Sequence, residues 1–148
     1  MAQFARPDAD ITDGTWLNAS ASATDMYQSI DEDVSSPNDA DYIESVAAPS
    51  SAACAFGLSN VEDPVSSSGH IMRWRRGKNT AGGATINLTV ELRQGYTGEG
   101  SQGTLINSFA DNTIPDSFTT TTDTLSGAEA DSITNYADLQ VRFVATQV

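Results

Sequence analysis

Hydrophobic and polar residues alternate with a period of two along several stretches of this chain. The clearest is ATINLTVELRQG, where Ile86, Leu88, Val90 and Leu92 fall on one side and Asn87, Thr89, Glu91 and Arg93 on the other. That period belongs to a strand with one buried face and one wet face. HIMRWRRGK alternates too, and predicts Met72 and Trp74 in the core with Ile71, Arg73 and Arg75 outside. Near the end, Leu139, Val141 and Phe143 oppose Gln140, Arg142 and Val144, which predicts a last core strand over residues 138–145.

Shorter apolar runs fill the gaps. ACAFGLSN and DADYIES read as strands bounded by Pro49 and the turn-rich EDPVSSSG. TLINSFA reads as another, with Leu105 inside and Phe109 as a further inward candidate. The threonines Thr119 to Thr122 suit a strand with a solvated face or an exposed edge. With a strand near Ile11 to Leu17, the count reaches about eight, as in two-sheet sandwiches.

Two helical turns interrupt this pattern. Ser126-Gly127-Ala128-Glu129 fits the S-x-x-E capping box, and TDMYQSI offers Asp25 as a cap with Gln28 three residues on. No repeat of fixed period and no dividing linker is present. The expected fold is therefore all-β: a single antiparallel β-sandwich, jelly-roll-like or immunoglobulin-like, with one or two short helical turns. Residues 1–8 are expected to form an N-terminal arm and residues 9–148 the sandwich.

Composition narrows the function. The 148 residues carry 20 acidic and 7 basic side chains, a formal charge of −13. Phosphate backbones are bound by clustered cations, so no nucleic-acid partner is expected. No apolar run has the length of a membrane span or a leader, so no membrane association is expected either. One cysteine, Cys54, excludes an intramolecular disulfide and is read as a small core residue.

The motifs whose residue types suit chemistry have plainer readings. Asp8, Asp10 and Asp13 precede Gly14, but their spacing breaks the register of a calcium loop and no bidentate glutamate follows. Solvated turns are expected there, with no metal and no cofactor. His70 is the sole histidine, and no serine near it stands in a G-x-S-x-G elbow, so it is read as a strand-start residue. GYTGEGSQG links two strands rather than a strand and a helix, which makes it a long mobile hairpin and not a phosphate cradle. Arg73, Arg75, Arg76 and Lys78 form a basic cluster whose ordinary fate is pairing with the chain's own carboxylates, such as Glu91. No catalytic residue is expected.

Taken in order, RPDADITDGTW, MYQSIDED, DADYI, FGLSNVEDP, GHIMRWRRGK, INLTVELRQG, SQGTLI and ADSITNYADLQVRF resemble a family of small β-sandwich virion structural proteins of tailed bacteriophages and prophages. The likeness runs from Arg6 to Val144. It implies a non-enzymatic protein of the virion, assembled in the host cytoplasm: a capsid decoration or cement protein that binds the assembled head. The implied partners are the major capsid protein or other virion proteins, with homo-oligomeric or symmetric lattice contacts. A receptor- or glycan-binding tail module is the alternative. The residues expected at a partner surface are Phe4, Arg6, Arg73, Arg75 and Tyr96. Tyr136 lies three positions before Leu139, one more than a tyrosine corner allows, which favours a jelly-roll-like over a strict immunoglobulin topology.

Overall fold

The structure is a computed structural model and describes residues 2–79 and 83–148. It is an antiparallel β-sandwich of nine strands. The main sheet has the order β1-β4-β9-β6-β7, formed by β1 (Pro7–Thr12), β4 (Ala52–Leu58), β9 (Leu139–Gln147), β6 (Ile86–Gln94) and β7 (Thr104–Asp111). Two short ladders make up the opposing layer. One pairs β2 (Leu17–Asn18) with β3 (Ile43–Glu44), and the other pairs β5 (Ile71–Arg76) with β8 (Thr119–Thr124).

The period-two stretches explain the layering. Leu88, Val90 and Leu92 on β6 align with Ala145, Phe143 and Val141 on β9, so one face of the sheet is a continuous apolar wall. Cys54 and Phe56 of β4 extend that wall from the other side of β9. Trp74 closes over it from β5, its ring 5.4 Å from that of Phe109. Trp16, Met26 and Ile133 complete the core. Full burial of a side chain of this kind is worth about 1.5–3 kcal/mol, so the shared wall dominates the stability of the fold.

Four local expectations change. The first strand lies over Pro7–Thr12 instead of Ile11 to Leu17, and so takes Pro7 and Asp8 out of the anticipated arm. The tight turn at Asp13–Trp16 ends it, because Gly14 has φ +51° and a Cβ there would stand 1.5 Å from the Ala53 carbonyl oxygen. DADYIES contributes only the two residues of β3.

The third concerns Leu105, which is 46% exposed while Ile106 is buried. Leu92 pairs with Asn107 but Arg93 pairs with Leu105, so Ile106 is an extra residue in a β-bulge. The bulge turns Ile106 inward and restores the inward phase at Phe109. The fourth is the cap at Met26–Ser29. These residues form a 3-10 turn, but Asp25 has φ +55° and its side chain caps nothing. Asp10 of β1 does so instead. The Ser126 capping box forms as written, opening α1 (Gly127–Asp131).

Candidate functional site

The outward positions of the main sheet meet in a polar cluster. Glu91 of β6 stands opposite Arg142 of β9, and Arg93 opposite Gln140. One oxygen of Glu91 accepts from Arg93 Nε at 2.7 Å and from an Arg142 terminal nitrogen at 3.0 Å. Arg142 then grips Glu99 with two further N–H groups, at 2.8 and 2.9 Å. That fork is the strong geometry for a guanidinium and a carboxylate.

Glu99 belongs to the loop of residues 95–103, and this pairing folds the loop onto the sheet. Tyr96 donates its hydroxyl to Glu99 at 2.9 Å, while Gln102 donates to the other Glu99 oxygen. The Tyr96 main-chain N–H is accepted by Gln140. Arg142 holds the Glu99 carboxyl below the usual carboxylate range, and burial pushes the Tyr96 hydroxyl up to about 12. The expected long mobile hairpin is therefore a knitted loop. Gly103 makes its return possible, with φ +58° and the Gln94 carbonyl where a Cβ would be.

Tyr96 was expected at a partner surface. It is 1% exposed, and its ring anchors the loop instead of facing a partner. Phe4 stands out at 60% exposure. Its neighbours are tied down: Gln3 exchanges two hydrogen bonds with the main chain of Glu62, and Arg6 pairs with Asp33 at 2.7 Å. Met1 of the arm lies outside the described residues.

Arg73 and Arg75 share the outward face of the β5–β8 ladder, as their spacing predicts. Glu91 pairs with neither. Arg75 forks onto Asp39 at 2.5 and 2.7 Å, and its guanidinium lies over Phe118. Arg73 donates to the Thr122 hydroxyl. Arg76 pairs with Asp111 and Lys78 with Asp116. These contacts tie the small ladder to the segments around it, and leave Arg73 as the cation in the group without a carboxylate among the described residues.

His70 faces Tyr136, its Nε2 2.7 Å from the hydroxyl, and its Nδ1 is buried without a partner. The pair links the start of β5 to the segment before β9. Among the described residues no three His, Cys, Asp or Glu side chains gather as a metal site. Cys54 is fully buried, and burial raises its thiol pKa. Shallow hollows mark the surface near these groups. One, of about 530 Å³, runs between the Gly14–Thr15 turn, Val46, Ser51 and the Arg142–Glu99 pair. Another, of about 370 Å³, lies beside Tyr136, Asp63 and Asp131.

The Glu91–Arg142–Glu99 cluster escaped sequence reasoning. Its signal was available in part, since opposite charges occupy outward positions of two alternating strands; the pairing of those strands was not. Compared with family models, curated proteins and solved structures, the chain matches none.

Proposed function

We propose that this chain is a non-enzymatic structural protein of a tailed-phage virion, a decoration or cement protein that binds the assembled head. The order of sequence phrases from Arg6 to Val144 supports the context. The observation that carries the mode of action is the arm: Phe4 lies 60% exposed on a segment held to the sandwich by Gln3 and Arg6. An aromatic presented in this way buries surface only when a partner covers it, and a buried Phe is worth about 2 kcal/mol. Repeated by symmetry over a shell, small patches of this kind sum to a large stabilisation, and binding only the assembled state favours it by mass action.

Charge supports the same reading. Six of the 20 carboxylates form ion pairs among the described residues, and most of the others carry the chain's net charge of −13 towards solvent or a cationic surface. Such a field speeds docking on a basic partner.

Deleting residues 2–6 tests the proposal. The expected result is a sandwich that still melts cooperatively, at a slightly lower midpoint, with reduced occupancy on particles, counted by cryo-EM or immunogold labelling. Full occupancy without the arm removes it from the mechanism. Label confined to tails would favour the receptor- or glycan-binding alternative.

A further inference from the structure

We propose that the free edge of β8 is a self-complementary docking seam, through which two copies of this chain join into a continuous four-stranded sheet. The proposal concerns the isolated protein and stands without the virion reading. It begins with the direction of main-chain groups. The Leu125 N–H donates to the His70 carbonyl, which makes those two residues a hydrogen-bonded pair one step beyond the β5–β8 ladder. Hydrogen-bonded pairs alternate along an antiparallel ladder. Thr119, Thr121 and Asp123 therefore turn their main-chain groups to β5, and Thr120, Thr122 and Thr124 turn theirs to the open edge.

Among the described residues that edge is straight, and Asp123 is its sole charged residue. Six residue pairs run from Ile71–Thr124 to Arg76–Thr119 without a bulge, and β8 holds no proline, glycine or lysine. The main sheet treats its edges differently. β1 carries two register shifts and is overlaid by the 3-10 turn, and on β7 the Asn107 side chain takes the Ser108 N–H. Proteins protect edge strands with such devices because an unguarded edge templates another strand.

A two-fold axis at Thr122 fits this edge to itself. Thr122 then opposes its own copy and Thr120 opposes Thr124, so all three outward residues exchange hydrogen bonds with the partner. On the other face Asp123 meets Thr121, and no like charges stand directly opposite. Threonine pairs are favourable neighbours in this position. The Thr120 and Thr122 hydroxyls already accept from Arg75 and Arg73, which fixes the seam's side chains in advance.

Electrostatics sets the strength of the seam. Two chains of charge −13 repel over most of their surface. Three of the four cations on or just after β5 are paired with the chain's own carboxylates, so Arg73 is the local positive charge set against that repulsion at this edge. A seam of one short strand buries less than the roughly 1,200 Å² of a stable complex, so the dimer is weak and concentration-dependent.

The test is disulfide trapping with sedimentation of the full chain. In the two-fold pairing, the Cα atoms of the two Thr122 residues stand about 5.5 Å apart, within disulfide reach. The two Thr124 residues stand roughly 13 Å apart along the strands. Under mild oxidation, Thr122→Cys should form a covalent dimer at least tenfold faster than Thr124→Cys. Cys54, being buried, gives no background. The unmodified chain should move from 15.6 kDa towards twice that as concentration rises into the high micromolar range, and more readily with added salt. Thr122→Pro removes the outward N–H and the exposed hydroxyl that accepts from Arg73, so it should keep a cooperative melting curve and lose the association. Equal trapping at the two cysteines, a mass constant with concentration, or a dimer that survives Thr122→Pro would each overturn the seam.

Discussion

The carboxylate of Asp10, in the middle of β1, accepts the main-chain N–H groups of Met26 at 2.9 Å and Tyr27 at 2.8 Å. Each oxygen takes one donor, and together they close the start of the 3-10 turn that carries the fully buried Met26 into the core. The cap thus joins a sheet edge to a turn 16 residues away.

Asp10→Ala should destabilise the protein by about 1–2 kcal/mol, the range of a lost N-cap, and lower the melting midpoint by several degrees. Asp10→Asn keeps an acceptor oxygen and should cost less. With both Asp10 oxygens engaged by main-chain donors, EDTA should leave the melting midpoint of the unmodified chain where it was. A midpoint lowered by chelation and restored by calcium would contradict the assignment of Asp10 as a cap.

Removing Arg142 should be far more damaging than its surface position implies. Arg142→Leu takes from the largely buried Glu91 one of its two guanidinium partners, leaving Arg93, and takes from Glu99 its fork, leaving Tyr96 and Gln102. The cost should therefore stay below the roughly 3–5 kcal/mol of breaking a buried pair outright. Arg142→Lys keeps the charge but loses the fork, so it should recover part of the loss. Urea titration monitored by circular dichroism measures both. The Glu99 carboxyl is lowered by Arg142, so its contribution is present above the ordinary carboxylate range and fades as the pH falls through that range. The gap between Arg142→Leu and the unmodified chain should narrow accordingly in acid.

The bulge in β7 predicts opposite outcomes for adjacent residues. Ile106→Ala empties a core position and should cost about 2–5 kcal/mol. Leu105→Ala touches an exposed side chain and should stay within about 0.5 kcal/mol. Melting curves of the pair decide it, and equal losses would mean that the extra residue lies elsewhere.

Glu32 offers a stabilising change. Burial raises its carboxyl pKa, helped by the charges of Asp41 and Asp31, and one of its oxygens is buried without a hydrogen-bond partner. A carboxyl raised in the folded state binds protons more tightly there than in the unfolded chain, so its ionisation costs stability as the pH rises through the carboxylate range. Glu32→Gln should raise the melting midpoint at pH 7, by less than about 3 °C for a change below a kilocalorie. At pH 3, where the acid is protonated, the two proteins should melt together.

Much of the architecture was legible in the chain itself. Period-two alternation assigned the inward faces of β5, β6 and β9 correctly, because a strand's side chains alternate whatever it pairs with. The same holds for the Ser126–Glu129 box, whose donors and acceptors all lie within four residues. Local geometry suffices for such features.

Tertiary structure decided the rest, wherever a residue's role depends on what lies across the fold. Asp25 had the sequence position of a cap, but its left-handed backbone turned it away, and the caps came from Asp10 on another element. Leu105 had the phase of a core residue until the bulge opposite Leu92 and Arg93 inverted it. Tyr96 and its glycine-rich loop had the composition of a mobile surface, but Arg142, 43 positions beyond Glu99, drew the loop onto the sheet. Charge pairing followed the same rule: Arg75 found Asp39 and Glu91 found Arg142, since strand order, not sequence spacing, sets which ions meet.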